Sequence, residues 1–263
     1  MILLDPAARP VVAHRGDSAH APENTMPAFE RAVRLGADGL EFDVRLTADG
    51  VPVVHHDAAL DRTTGGAGLV AARTLAGVRA LDAGAHFSPD GGRSFPFRGI
   101  GVVVPTLDEV LGAWPAMPVL IEIKEPVASA VVRATLDRHA AAGRAVVASF
   151  VDAAVAPFRN SPYATGAARA DVARLLAATL AGVRVRPSYQ IASVPRSYNG
   201  LPLPVGRFAR ALRPCGVPVH VWTVDGRAEA LALWAAGVSG MVSNDPAALL
   251  AARAERSLGG AFS

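Results

Sequence analysis

The stretch GLEFDVRLTADGVPVVHH, residues 39–56, decides how this chain folds. Two apolar runs lie within it, at 39–44 and 51–56, and only RLTADG separates them. A crossover between parallel strands needs a dozen or more residues, whereas a turn that ends in Asp-Gly suits a hairpin. We therefore predict that the two runs pair as antiparallel strands.

Elsewhere the chain alternates short apolar runs with Ala-, Leu- and Arg-rich helical patterns. This alternation is typical of a parallel sheet covered by helices, as in a closed barrel or an open doubly wound sheet. Setting aside the second hairpin arm leaves eight candidates for parallel strands, the number that a TIM (β/α)8 barrel requires. They are the segments 11–14, 39–44, 118–124, 145–150, 163–167, 188–192, 217–224 and 240–244.

The expected fold class is therefore α/β, a somewhat irregular barrel that forms a single domain over residues 1–263. A second interruption spans roughly 57–105 and contains GGAG, SPDGG and one short helical pattern. A connection this long inside a barrel is usually a functional excursion. We interpret it as a small inserted cap over one end of the barrel.

Composition narrows the class of protein further. With 51% hydrophobic and 19% charged residues, the chain can bury a large core. The formal charge is +3 and no basic block occurs, which argues against nucleic-acid binding. Neither a signal-peptide pattern nor an apolar run of about 18 residues is present, so we expect a cytoplasmic protein without membrane insertion. Cys215 is the only cysteine, which excludes an internal disulfide.

Three carboxylates fall on strand faces that should point into the barrel. Glu41 and Asp43 share one face of their strand, as Glu122 and Lys124 do on theirs. A solvated face is the alternative, but both runs lie within buried parallel-strand patterns. Converging carboxylates repel each other unless a cation joins them, and oxygen ligands suit Mg²⁺, Ca²⁺ or Mn²⁺ better than zinc. We predict that the three carboxylates bind such a divalent cation.

Cationic and proton-transferring side chains accompany this cluster. The first strand ends in His14 and Arg15, and Lys124 is the only lysine among 26 Lys and Arg residues. A lysine retained in so arginine-rich a chain indicates that a compact point charge is needed there. In the PENT motif, Asn24 is a candidate helix cap and Glu23 lies near the positive end of that helix. Such a set suits metal-assisted cleavage of a phosphoester, although a sulfate ester or a phosphorylated sugar also fits.

The adjacent histidines at the end of the hairpin cannot share one function. Neighbouring side chains of an extended strand point to opposite faces. A two-residue turn puts His56 opposite Glu41, whereas counting Gly50 as a bulge puts His55 opposite Asp43. Spacing alone leaves both registers open.

Taken in order, the motifs resemble those of the glycerophosphodiester phosphodiesterase family. The resemblance rests on AHRG, APENT, LEFDV and HHDAALDRTT, followed by LDAG, VPTLDEVL, IEIK, VHVWTVD and GVSGMVSNDP. It covers nearly the whole chain and is weak between residues 150 and 205. The resemblance implies a TIM barrel with a small insertion after the His-Asp motif. It also implies hydrolysis of glycerophosphodiesters to an alcohol and glycerol 3-phosphate, with a divalent cation, often Ca²⁺ or Mg²⁺.

The resemblance also implies a role for each motif residue, with His56 as the working histidine because it directly precedes Asp57. His55 then faces away, at a position that is more often apolar. Trp222 is either a pocket residue near the glycerol end or a core aromatic under the barrel rim. The implied roles are acid/base catalysis by His14 and His56, substrate binding by Arg15, Lys124 and Trp222, and metal binding by Glu41, Asp43 and Glu122.

Other functions remain open at this point. A lysophospholipase D or a phospholipid lyase would keep the same polar core and add an apolar groove at the rim, for which FPFRGIGVVV, residues 95–104, is the candidate. A non-catalytic barrel that binds phosphodiesters would have lost a histidine or a metal carboxylate, and none is missing from the sequence.

Overall fold

The computed structural model of the chain describes residues 1–259, with side chains to residue 255. The strands within this range are β1 (Val11–His14), β2 (Gly39–Leu46), β3 (Pro52–Val54), β4 (Val119–Ile123), β5 (Ala145–Ala148), β6 (Ala164–Thr165), β7 (Ala192–Pro195), β8 (Ser197–Tyr198), β9 (Leu201–Pro202), β10 (Val219–Trp222) and β11 (Gly240–Ser243). The α-helices are α1 (Met26–Leu35), α2 (Leu75–Arg79), α3 (Leu107–Ala113), α4 (Ser129–Arg138), α5 (Asp152–Val155), α6 (Arg169–Ala181), α7 (Val205–Leu212), α8 (Arg227–Ala235) and α9 (Pro246–Gly259).

Eight of these strands form one parallel sheet in the order β6-β5-β4-β2-β1-β11-β10-β7. A parallel bridge between Gly166 and Ile191 joins the two outer strands. The N–H of Ala167 donates to the carbonyl of Ile191 at 2.9 Å in the same place. The sheet therefore curls into a barrel with helices outside it, and the predicted TIM barrel fold is confirmed.

The predicted hairpin is also confirmed. Strand β3 pairs antiparallel with β2, with Val44 opposite Val54. Gly50 in the turn has φ +77°, and the N–H of His55 donates to the carbonyl of Asp43 at 2.9 Å. The register is thus the one that counts Gly50 as a bulge.

One strand lies further along the chain than expected. The prediction of a strand at 188–192 is wrong in its bounds, because β7 begins at Ala192. The preceding residues serve the neighbouring strand instead, since the Gln190 side chain accepts the N–H of Thr165 at 2.8 Å. The segment joins the sheet through the bridge at Ile191, where the N–H of Gln190 donates to the carbonyl of Thr165 at 2.9 Å.

Strand alternation divides the barrel into an outer apolar face and a layered interior. Leu40, Phe42 and Val44 of β2 are fully buried in the outer core. Residues of the N-terminal 3₁₀ turn fill the lower end of the barrel, where the strands begin. A layer of aliphatic side chains closes the interior, formed by Leu3, Val12, Leu120, Val146, Ile191 and Val242. The inward-facing polar residues lie further along the same strands, at their carboxyl ends.

Residues 57–105 form a small core of their own beside β3. Leu60, Val70, Val78 and Val104 are buried there and pack with Val53 of the hairpin. Only α2 and one 3₁₀ turn, Val70–Ala72, give this segment regular structure. We interpret the segment as an insertion into the barrel domain.

No helix within residues 1–259 is long and apolar enough to cross a membrane.

Candidate active site

The predicted site residues meet at one pocket, at the carboxyl ends of the barrel strands. Asp43 is 1% exposed and contacts Arg15 and Lys124, which line this pocket. Residues paired in register on neighbouring strands point to the same face of the sheet, so β2 and β4 bring their polar residues together, with Asp43 paired to Glu122. The pocket is lined by His14, Arg15, Glu41, His56, Glu122, Lys124 and Trp222, among others.

The three carboxylates form a compact oxygen cluster. Glu41, Asp43 and Glu122 each offer an oxygen, and these atoms lie within 4.8 Å of one another. Lys124 Nζ contacts Asp43 Oδ1 at 2.7 Å and Glu122 Oε1 at 2.9 Å. The donor set is that of a hard divalent cation, since all three ligands are oxygen atoms. The residues present therefore fit such an ion.

The pKa shifts of the three carboxylates also fit a site for a cation. Burial, reinforced by neighbouring Asp43, raises the pKa of Glu41 well above its usual range. Burial likewise raises the pKa of Glu122. Burial alone would raise the pKa of Asp43, but Lys124 and Arg15 more than offset this and hold it below its usual range. The two side-chain cations thus do not neutralise the whole cluster, and a bound cation would keep all three groups ionised.

His14 is held in a defined orientation by residues that follow two other strands, β11 and β10. Its Nδ1 lies 2.7 Å from Asn244 Oδ1, while Asn244 Nδ2 donates to Asp225 Oδ2 at 2.9 Å. Because the Asn244 amide nitrogen is used on Asp225, its oxygen must accept, and His14 Nδ1 is the donor. Burial, assisted by Arg15, lowers the pKa of His14. Its Nε2 carries the lone pair, 3.9 Å from Glu41 Oε2.

His56 is oriented in the same manner by its neighbour in the chain. Its Nδ1 lies 2.6 Å from Asp57 Oδ1, so that it donates to this carboxylate and leaves Nε2 free. Arg45 Nε also donates to the backbone carbonyl of His56 at 2.8 Å. His56 therefore offers a second proton-transfer atom in the pocket.

His55 points away from the pocket and is only 4% exposed. Its ring nitrogens contact the Asp57 carbonyl at 2.9 Å and Thr63 Oγ1 at 3.0 Å. Strand alternation fails here because β3 ends at Val54, before either histidine. The hairpin register therefore does not decide which histidine reaches the pocket.

The Arg15 side chain lies between two carboxylates, one in the loop before α1 and one on β2. It lies in the left-handed region, with φ +57°, and its N–H donates to the carbonyl of Glu41 at 2.8 Å. Its Nη1 donates to Glu23 Oε1 at 2.8 Å, and its Nε lies 3.2 Å from Asp43 Oδ2. Gly16 follows with φ +86°, where a Cβ would lie 2.6 Å from the backbone of Ala28. This close approach fixes the turn that presents Arg15.

The expectation that Asn24 caps the first helix is wrong. Helix α1 begins at Met26 with Thr25 as its N-cap residue. Asn24 has φ +57° and is 3% exposed, and its Nδ2 donates to Asp43 Oδ2 at 2.9 Å. The buried Asp43 carboxylate needs hydrogen-bond donors, and the Asn24 amide supplies one of them.

Trp222 forms one wall of the pocket. Its ring meets that of Phe150 edge to face, with centroids 5.8 Å apart, and Phe150 also lines the pocket. The segment 95–104 lies elsewhere, because Phe97 packs on Phe87 and Val104 belongs to the core of the insertion. The pocket therefore has an aromatic wall, but the candidate groove for an acyl chain is not part of it.

Sequence reasoning missed several residues that shape this site. Asn244 and Asp225 follow strands β11 and β10, and Phe150 follows β5. The signal was present in each case, because functional residues of a (β/α)8 barrel lie just beyond the strand ends.

A second group of possible metal ligands within residues 1–259 consists of Asp17, His20 and Asp245. Asp17 already accepts Arg31 Nε at 2.9 Å and contacts His20 Nδ1 at 2.8 Å. Its oxygens are thus used within the protein.

Comparison with known proteins identifies the class to which this site belongs. The model of the glycerophosphoryl diester phosphodiesterase family matches residues 14–248. A glycerophosphodiester phosphodiesterase of Bacillus subtilis is 31% identical over 256 residues, 93% of this chain and 86% of that protein. One from Caldanaerobacter subterraneus is 33% identical over 251 residues, 91% of this chain and 96% of that protein.

Solved structures agree with the sequence relatives. The glycerophosphoryl diester phosphodiesterase domain of an uncharacterized Mycobacterium tuberculosis protein superposes with a TM-score of 0.82 at 25% identity, covering 94% of this chain and 99% of that one. A phosphodiesterase of Oleispira antarctica, solved in complex with the product sn-glycerol-3-phosphate, gives 0.73 at 25% identity, covering 94% of this chain and 97% of that one. The chain is a phosphoric diester hydrolase. It belongs to the glycerophosphoryl diester phosphodiesterase family.

Proposed function

We propose that this protein hydrolyses glycerophosphodiesters to an alcohol and glycerol 3-phosphate by acid/base catalysis with His14 and His56. The observation that carries the proposal is the pair of histidines with free Nε2 atoms beside a carboxylate cluster in one pocket. The Oleispira antarctica phosphodiesterase solved in complex with sn-glycerol-3-phosphate supports the same product.

The reaction exchanges one P–O bond for another. His14 accepts the proton of the nucleophile, either water or the glycerol 2-hydroxyl, because burial keeps its imidazole neutral and Nδ1 already donates to Asn244. A P–O bond to the nucleophile forms as the bond to the leaving alcohol breaks. His56 acts as the acid in its doubly protonated form: it gives its Nε2 proton to the departing alkoxide and keeps the Nδ1 proton on Asp57. If the 2-hydroxyl attacks, a cyclic phosphate forms first, and water then opens it.

Charge stabilisation comes from the carboxylate cluster and from the two cationic side chains that line the same pocket. A divalent cation held by Glu41, Asp43 and Glu122 would supply Lewis-acid neutralisation of the phosphoryl oxygens. Arg15 and Lys124 line the pocket and keep N–H groups beyond those used on carboxylates, so both can donate to the phosphoryl group. Trp222 and Phe150 bound the substrate on the apolar side.

A substrate panel tests this function. Glycerophosphocholine, glycerophosphoethanolamine and lysophosphatidylcholine are each incubated with the protein, before and after EDTA treatment and after return of Ca²⁺, Mg²⁺ or Mn²⁺. We expect glycerol 3-phosphate from the first two substrates, loss of turnover with EDTA, and recovery with at least one cation. Turnover of lysophosphatidylcholine alone would replace the proposal with a lysophospholipase D. Full activity in EDTA would contradict the cation site.

A further inference from the structure

Arg62 lies outside the pocket lining, on the inserted segment, yet it contacts carboxylates that serve both halves of the site. Its Nη1 and Nη2 donate to the two oxygens of Glu23 at 2.7 and 2.8 Å. Its Nε donates to Asp57 Oδ2 at 2.5 Å. A planar guanidinium that donates to two carboxylates at once fixes their separation and orientation.

Each of these two carboxylates also accepts a hydrogen bond from a pocket residue, and so restricts the position of that residue. Glu23 Oε1 also accepts Arg15 Nη1 at 2.8 Å. Asp57 Oδ1 accepts His56 Nδ1 at 2.6 Å. The result is a continuous chain of charge-assisted hydrogen bonds, His56–Asp57–Arg62–Glu23–Arg15, that joins the loop after β1, the loop after β3 and the insertion.

The pKa shifts of Asp57 and Glu23 show that both carboxylates of this network are charged, as the hydrogen bonds require. Burial raises the pKa of Asp57, but hydrogen bonds from Arg62 and His56 outweigh this and hold it far below its usual range. For Glu23, burial is again outweighed, by Arg62 and Arg15. Both carboxylates are therefore ionised acceptors at neutral pH, and each is shared between Arg62 and one pocket residue.

We propose that Arg62 is a positioning residue that sets the His56 imidazole through Asp57 and the Arg15 guanidinium through Glu23. This inference rests on the proposed function, because it assumes that His56 transfers protons and that Arg15 binds the phosphoryl group. It assigns the insertion a part in the reaction, since the insertion supplies the one residue that contacts both carboxylates among those described.

A purely structural role makes a different prediction. If Arg62 only ties the insertion to the barrel, its removal lowers stability and leaves the geometry of His56 and Arg15 intact. Half of the Arg62 side chain is exposed, at 49%, so its replacement opens no core cavity. Measurements of turnover, of phosphate binding and of the His56 tautomer therefore distinguish the two roles.

The kinetic test compares Arg62→Gln and Arg62→Lys with the control Arg73→Gln. Arg73 lies on the same insertion, and among the described residues its side chain donates only to the backbone carbonyl of Ala67, at 2.9 Å. With glycerophosphocholine we expect Arg62→Gln to lower kcat by about 10-fold to 100-fold, the scale of a displaced catalytic group. Through Glu23 and Arg15, the inhibition constant of inorganic phosphate should rise several-fold. Arg62→Lys should recover part of the loss, and Arg73→Gln should behave as wild type.

Histidine-selective ¹⁵N NMR provides a readout without turnover. The His56 signal is identified by its loss in His56→Ala, and for the neutral ring of the wild-type protein we expect the tautomer protonated at Nδ1. Arg62→Gln should shift this signal toward a mixture of tautomers, and Arg73→Gln should not.

The outcomes separate this inference from the proposed function. If Arg62→Gln matches Arg73→Gln in kcat, phosphate inhibition and the NMR signal, the positioning role is wrong. If Arg62→Gln does not fold, Arg62→Lys is judged by the same criteria. Full activity of His56→Ala would instead overturn the two-histidine mechanism itself. In an Asp57→Asn background, Arg62→Gln should lower kcat by less than it does in the wild-type protein, because only the Glu23–Arg15 branch remains, whereas fully additive losses would contradict action through Asp57.

Discussion

His220 makes the stability of this protein depend on pH in a way that the structure lets us calculate. The residue lies on β10 and is fully buried, and within the described part of the chain neither ring nitrogen makes a hydrogen bond of full geometry, although the Leu3 backbone is close enough to interact with the ring. Burial lowers its pKa from 6.5 to about 3, opposed only by the Leu3 backbone. Strand β11 makes room for the ring with Gly240, where a Cβ would lie 2.6 Å from it.

The direction of the pH effect on stability follows from whether the folded or the unfolded state protonates His220 at a given pH. Below pH 6.5 the unfolded chain protonates His220, while the folded protein does so only near pH 3. Stability from this group is therefore complete above pH 6.5 and is lost as the pH falls toward 3. At about 1.4 kcal/mol per pH unit, the loss is about 2 kcal/mol by pH 5 and about 5 kcal/mol in full.

Urea unfolding of wild type and His220→Leu between pH 7.5 and 4.5 measures this effect. Leucine is similar in volume and does not titrate, so the variant should lose less free energy of unfolding on acidification. At pH 7.5 it should match or exceed wild type, because the unpartnered nitrogens are removed. His86→Leu, at an exposed histidine, is the control and should follow wild type. An equal free-energy difference between wild type and His220→Leu at pH 7.5 and pH 5 would show that His220 does not cause the loss of stability in acid.

Further predictions concern packing, orientation and the cation. Gly240→Ala should lower the free energy of unfolding by about 1–3 kcal/mol in urea titrations, because the new methyl group overlaps the His220 ring. Asn244→Ala should reduce kcat by about 10-fold or more with little change in KM, since His14 loses the acceptor that sets its tautomer. Trp222→Ala should mainly raise KM, as it removes a pocket wall. Calcium or magnesium added to EDTA-treated protein should raise Tm with increasing concentration, and a constant Tm would exclude binding to the carboxylate cluster.

The barrel and its inner face were predictable because strand periodicity determines both. Glu41 and Asp43 had to share a face opposite Leu40 and Phe42, and burial of the parallel strands turns that polar face inward. The hairpin followed from chain length alone, since six residues cannot form a crossover helix.

The region between residues 188 and 212 was less predictable because its local signals are weak. Strand β7, with sequence ASVP, contains one large β-forming residue. The strand was therefore predicted over the residues just before it, which include Tyr189 and Ile191. The hairpin β8–β9 did carry a signal that was overlooked. Asn199 and Gly200 both have positive φ, at +49° and +78°, as Asn-Gly turns require.

The choice between the histidines could not come from periodicity. Alternation holds only while a strand continues, and β3 ends at Val54. Beyond it, His56 is placed by side-chain contacts with Asp57 and by Arg45, which are tertiary interactions. Motif resemblance selected His56 where strand geometry did not.

The most direct test of the account is the turnover of glycerophosphocholine by His56→Ala beside His55→Ala, with His14→Ala assayed in parallel. Removal of an acid or base at the reacting atoms should lower kcat by at least about 10²-fold, so His56→Ala and His14→Ala should fall to this level. His55→Ala should retain most activity, because its ring contacts Asp57 and Thr63 outside the pocket. Near-normal turnover by His56→Ala or His14→Ala would contradict the two-histidine mechanism.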